Sequence, residues 1–255
     1  MVFNRSRSAN PAFNDDTFRG AGDVTISTSG LKNAMTVQGT VNKTGVLLGL
    51  CTMSAAMSWM FIRENPDFLS LIQMSGIITG FIIAIVTMWK KEWAPITAPL
   101  YAIAEGTALG ALSLFFQALY EGIAIQAVLL TFSTLFTMLL AYTSGWIKVT
   151  EKFRAVMTAA VGAIAITYLI NIVMQIFGTK LFFLYGSDPL AIGISGVIVV
   201  VAALNLLLAF DAVEQGARLV TPKYMEWYGA FGVILSLVWL YIEILWLLSQ
   251  LRGRD

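Results

Sequence analysis

The chain has 255 residues, 58% of them hydrophobic and only 12% charged, with a mean hydropathy of +0.77. Soluble domains carry about 25% charged residues, so this composition excludes a single water-soluble domain and calls for a bilayer as solvent. A formal net charge of +1 with no basic patch points to no nucleic-acid partner. The absence of histidine excludes a Ser–His–Asp triad and histidine metal ligation.

Residues 1–41 are rich in Asn, Ser, Thr, Asp and Gly and read as a disordered cytosolic tail. No signal peptide is read there, because the first long apolar stretch starts only near Gly45. Seven apolar runs follow, each near the ~20 residues that a bilayer requires. They are placed at Gly45–Ile62, Phe68–Trp89, Ile96–Leu119, Ile123–Tyr142, Ala155–Phe177, Pro189–Phe210 and Trp227–Leu248. Charged and turn-forming residues separate them, among them Arg63-Glu64-Asn65-Pro66-Asp67 and Lys90-Lys91-Glu92. The fold class is therefore all-α: seven transmembrane helices over 42–250, with a short tail at 251–255. Each backbone must satisfy its own hydrogen bonds inside lipid, which makes every run a helix.

Basic residues set the expected orientation. Twelve of the 16 fall on the side of the N-terminus, among them Arg5, Arg7, Lys90, Lys148, Arg154 and Arg218. The expectation is an N-terminus in the cytosol and a C-terminus outside, although Arg252 and Arg254 fit the outer end poorly. Trp59, Trp89, Trp93, Trp146, Trp227 and Tyr228 lie near run ends, where amphipathic rings favour the headgroup region. Gly76 with Gly80 and Gly106 with Gly110 form small-x-x-x-small steps that let helices approach closely. The single cysteine, Cys51, cannot form an intramolecular disulfide and reads as an apolar filler.

Carboxylates inside a bilayer are costly, by roughly 2.5–3.5 kcal/mol each, so the acids in the runs form the shortlist of functional residues. Glu105 lies near the middle of the third run and Glu243 in the middle of the last. Asp211 ends the sixth run and shares a helix face with Glu214. Glu214, Glu226 and Asp188 read as rim charges. No arginine or lysine lies deep in any run, so these acids are expected either to hold a proton or to attract a cation. Hard cations such as Ca²⁺ prefer oxygen ligands, and protons suit the same groups.

At this point the sequence resembles a known family. Asn205-Leu-Leu-Leu-Ala-Phe-Asp-Ala-Val-Glu-Gln-Gly216, Pro222-Lys-Tyr-Met-Glu-Trp-Tyr-Gly-Ala-Phe-Gly232 and Leu240-Tyr-Ile-Glu243 look like bacterial members of the transmembrane Bax inhibitor motif family. Ala98-Pro-Leu-Tyr-Ala-Ile-Ala-Glu-Gly106 and Met35-Thr-Val-Gln-Gly-Thr-Val-Asn-Lys-Thr44 extend the likeness over residues 35 to 250. The resemblance implies a seven-helix bundle with the last helix central, a pH-sensitive calcium leak, and a paired-acid proton sensor between the sixth and seventh helices. In eukaryotic relatives it also implies suppression of cell death, and one bacterial relative restrains a membrane-anchored ATP-dependent protease.

By that resemblance Asp211 and Glu243 are the sensor and gate, although the family has Asp where this chain has Glu243. The second run lacks the arginine that some relatives use as a latch. Sixteen helical steps from Trp227 to Glu243 cover roughly 24 Å, so the two acids meet only if the 211–231 segment is partly interfacial or the helices tilt. Glu105 is the expected pore-lining acid; Glu214 and Glu226 are secondary. The main expectation is a bacterial inner-membrane leak for Ca²⁺ or another cation, with no cofactor and no enzymatic activity. The alternative is a non-conducting regulatory protein that binds a membrane protease or another membrane complex, its function lost on deleting residues 1–34. A retinal protein is not expected, because the last run has no lysine for a Schiff base.

Overall fold

A computed structural model describes residues 34–179, 186 and 188–254. Most of the expected tail, residues 1–33, lies outside the described residues, as do Lys180, Ser187 and the last residue. Among the described residues seven helices are long and apolar enough to cross a membrane. They are α1 (Val37–Glu64), α2 (Leu69–Trp89), α3 (Ala94–Leu119), α4 (Ile123–Thr143), α5 (Glu151–Ile176), α6 (Pro189–Arg218) and α7 (Met225–Arg252). Single 3-10 turns at Pro66–Phe68 and Lys91–Trp93 lead into α2 and α3. Successive helices run antiparallel, so the described chain starts on one face of the bundle, the N-face, and ends on the other, the C-face.

Two helix boundaries differ from the sequence expectation by eight residues, the largest differences in the bundle. α1 begins at Val37, eight residues before Gly45 and inside the stretch read as tail. Thr36 caps it by accepting a hydrogen bond from Gly39 N at 2.9 Å. The first turns are polar, so hydropathy does not register them; the cap and the contacts of Thr36 hold them helical. α6 continues past Phe210 to Arg218. Its 30 residues span roughly 45 Å against a hydrocarbon core of about 30 Å. Its charged last two turns therefore stand in the N-face interface. The helix ends at Arg218 and the chain turns at Val220, whose φ of 53° is left-handed. Glycine ordinarily takes that place after a helix, and a β-branched residue is strained there.

Helix α7 is the centre of the bundle, as the resemblance implied. Of its most apolar stretch 67% is buried, against 11% for α5. It packs against α1, α3, α4 and α6. Tyr101 of α3 meets Phe231 of α7 edge to face at 5.0 Å, and Phe116 meets Trp246 at 5.1 Å. The glycine steps work as read: Gly106 and Gly110 of α3 lie on the backbone of Cys51 and Ala55 in α1, and Gly76 of α2 lies on Ala108. A side chain at these positions would push the helices apart. Cys51 is buried and unpaired. Trp89 and Trp146 stand more than four-fifths exposed, in keeping with an interfacial belt. Tyr228, read as a belt residue, is instead buried at 1% exposure.

Candidate functional site

The α6–α7 hairpin decides the geometry of the two sensor candidates. Asn205 Nδ2 donates to Ser236 Oγ at 3.0 Å, and Gly229 packs against Val213. In that antiparallel register Asp211 is level with Ala230, and Glu243 is level with Ile198. Thirteen helical steps, roughly 20 Å along the axis, therefore separate the two acids. They do not form the direct pair, and each has its own partners.

Asp211 lies at the N-face end of α6. Its Oδ2 accepts from Arg154 of α5 in an ion pair and from Gln215 Nε2 at 2.7 Å. Arg154 is itself 9% exposed and also reaches Glu151 Oε1 at 3.4 Å. This overturns the expectation that no basic residue neutralises the buried acids. In the sequence Arg154 stands between Lys152 and the next apolar run and looks like a loop charge. Thr150 caps α5 by accepting from Phe153 N at 3.2 Å, which puts Arg154 in the first helical turn, facing α6. A buried pair of this kind holds two helices together only while both charges remain. Beside it Tyr142 of α4 donates to Glu214, which also pairs with Arg218. Glu214 is partly exposed, as a rim acid should be.

Glu243 is 3% exposed. Tyr168 Oη of α5 and Trp239 Nε1 of α7 both donate to its Oε1, at 2.6 and 2.9 Å. It thus faces the same helix, α5, as Asp211 does, but nearer the C-face. Two neutral donors hold this carboxyl, with no basic side chain among its described hydrogen-bond partners. Glu105 is placed elsewhere. Its carboxyl lies against Gly80 of α2, near Cys51 of α1 and Tyr101. It belongs to the α1–α2–α3 cluster, away from the helix that Asp211 and Glu243 share.

Glu226 departs most from its reading. Expected as a solvated rim charge, it is fully buried. Its Oε1 accepts from Thr36 N at 3.0 Å, Thr36 Oγ1 at 2.8 Å and Lys223 Nζ at 3.0 Å, and its Oε2 pairs with Lys43. Met35 N donates to Thr221 O at 2.7 Å, and Ala34 bridges Pro222. The segment 34–36 is thereby clasped to the α6–α7 turn, and Gly39 leaves the space that the Glu226 carboxylate occupies. The signal was in the motif Pro222-Lys-Tyr-Met-Glu226, but nothing local distinguishes a buried glutamate at a helix start from an exposed one.

The fold and these acids define a polytopic seven-helix membrane protein with titratable groups between its helices, and such helices imply a lipid bilayer around it. The chain belongs to the family described as Bax inhibitor 1 like, which it matches over residues 4–253, essentially its whole length. No curated protein and no solved structure matches it.

Proposed function

We propose that the chain is a pH-sensitive cation leak of a bacterial inner membrane, with Ca²⁺ as cargo, the N-face in the cytoplasm and the C-terminus outside. The observation that carries this reading is the buried Arg154–Asp211 pair, which joins α5 to α6 at the N-face. Acidification neutralises Asp211 while the arginine stays charged. The pair then loses its attraction and leaves an uncompensated buried cation, which moves out toward Glu151 and water and releases α5. Flux therefore rises as pH falls. Glu243, held by neutral donors, is the acid a cation or proton meets within the bundle, and Glu105 supports the α1–α2–α3 packing. In this reading the chain catalyses no reaction and needs no cofactor.

Ca²⁺ flux into proteoliposomes, measured across about pH 5–8 for the wild type, Asp211→Asn, Arg154→Gln and Glu243→Gln, tests this. The expected result is acid-activated flux in the wild type and high, pH-flat flux in Asp211→Asn. Folded wild-type protein that passes no more Ca²⁺ than empty liposomes would overturn it.

One observation favours the second reading, a regulatory protein that binds a membrane-anchored protease or another membrane complex. The clasp at Thr36–Glu226 ties the chain just after the tail to the central helix, so a partner holding the tail would pull on α7. Deleting residues 1–34 would then abolish biological function with flux intact.

A further inference from the structure

The seam between α5 and α6 is organised in three levels. At the N-face is the Arg154–Asp211 pair. Above it lies a small apolar core of its own, separate from the main one. Met157 and Leu208 are 3% and 2% exposed, with Phe153, Val161, Val201 and Leu204 packed around them. Toward the C-face the seam widens into a cavity of about 420 Å³ between Ile164, Thr167 and Tyr168 of α5 and Gly193, Ile194 and Ile198 of α6. Tyr168 lines that cavity and donates to Glu243, so a single hydroxyl stands between the cavity and the buried carboxyl.

We propose that this seam is the conduction path, that the Met157–Leu208 cluster is its closed gate, and that Tyr168 is the residue that admits a cation or proton from the C-face to Glu243. The proposal rests on the leak reading and places its route. A dry apolar constriction between two polar stations blocks ions by excluding water, and it opens when the walls part. Here the walls are the two helices that the Arg154–Asp211 pair holds together. Because α5 packs chiefly on α6 and is tied to the central helix through the Tyr168–Glu243 hydrogen bond, it can swing outward by giving up that bond while α7 keeps its packing on α1, α3, α4 and α6.

The larger cavity, about 680 Å³ between α1 and α4, lacks this organisation. No carboxylate lines it, and several of its polar groups are engaged with one another or with backbone. Ser113 Oγ and Tyr241 Oη lie 2.7 Å apart, Thr131 donates to Ala127 O at 2.8 Å, and Gln117 accepts from Ala124 N at 3.4 Å.

Two readouts test the route, one of them independent of flux. In a Cys51→Ser background, Ile198→Cys places a thiol in the seam cavity at the depth of Glu243. Ala56→Cys places one in the α1–α4 cavity at a similar depth. A small hydrophilic thiol reagent applied to the C-face is expected to modify Ile198→Cys rapidly and Ala56→Cys slowly. The full-length protein in proteoliposomes is also expected to pass Ca²⁺ about tenfold faster with Leu208→Asn, the effect of lowering the barrier by ~1.4 kcal/mol. Val161→Thr, nearly isosteric, should raise flux in the same direction if Leu208→Asn does not fold. An unreactive Ile198→Cys in folded protein overturns the seam, as does flux that neither gate variant changes. Rapid labelling of Ile198→Cys without any wild-type flux would overturn the leak reading and leave the hydrated seam standing.

Discussion

Between α1, α2 and α3 the backbones themselves touch, with Gly106, Gly110 and Gly76 seated on main-chain or Cβ atoms of the neighbouring helix. Between α5 and α6 no such step exists: Gly162 and Gly193 face open space, and a polar pair and a small apolar cluster make the join, with one tyrosine hydroxyl tying α5 to α7 beside it. The first region is a fixed frame whose cohesion comes from close van der Waals packing. The second is an adjustable joint, because its strongest link depends on the charge of one aspartate. Function that needs movement should therefore reside on α5 and α6, and stability should reside on α1 to α3.

That comparison can be broken by substitution. The largest effect should come from Gly110→Val, which sets a side chain against the Ala55 backbone and should cost about 3 kcal/mol. Thermal unfolding in detergent would show it, and an unchanged midpoint would remove the frame from the description. Next is Glu226→Gln, which leaves Lys43 and Lys223 without their carboxylate at a cost of about 2 kcal/mol. Amide exchange should accelerate over residues 34–40 and leave α5 as it was; acceleration confined to α5 would mean that the clasp does not hold α1.

Asp211→Asn should cost about 1–2 kcal/mol, less than a fully buried pair because both side chains keep some solvent contact, at 11% and 17% exposure. Exchange at the start of α5 should report it, and equal loosening of α2 would contradict the joint. Tyr168→Phe removes one of two donors to Glu243 and should cost about 1 kcal/mol. It should also raise labelling of Ile198→Cys, whereas a merely structural hydroxyl would leave that rate alone. Smallest is Gly162→Ala, which meets nothing within 4 Å and should stabilise α5 by about 0.5 kcal/mol; a loss of stability there would show α5 to be packed as tightly as α3.

Hydropathy and charge spacing made most of the fold legible. The seven helices and the close glycine contacts follow from the residues, and the central last helix from the family motifs. The site was legible only as a set of acids. Asp211 was singled out because an aspartate beside an apolar run is costly, but its partner was hidden, since Arg154 lies 57 positions away among residues that look like a loop. Glu226 was misplaced for the same reason, its partners Thr36 and Lys43 coming from the other end of the chain.

What the sequence determined by itself is what depends on transfer from water to lipid, a property summed along each segment: how many helices there are and which acids cannot face lipid. What only the tertiary structure decided is which side chains meet. That depends on the register of α6 against α7, set by the Asn205–Ser236 bond, and on the rotation of α5 that turns Arg154 inward. Both are relations between segments, and they separated Asp211 from Glu243 by several helical turns while bringing each of them to face α5.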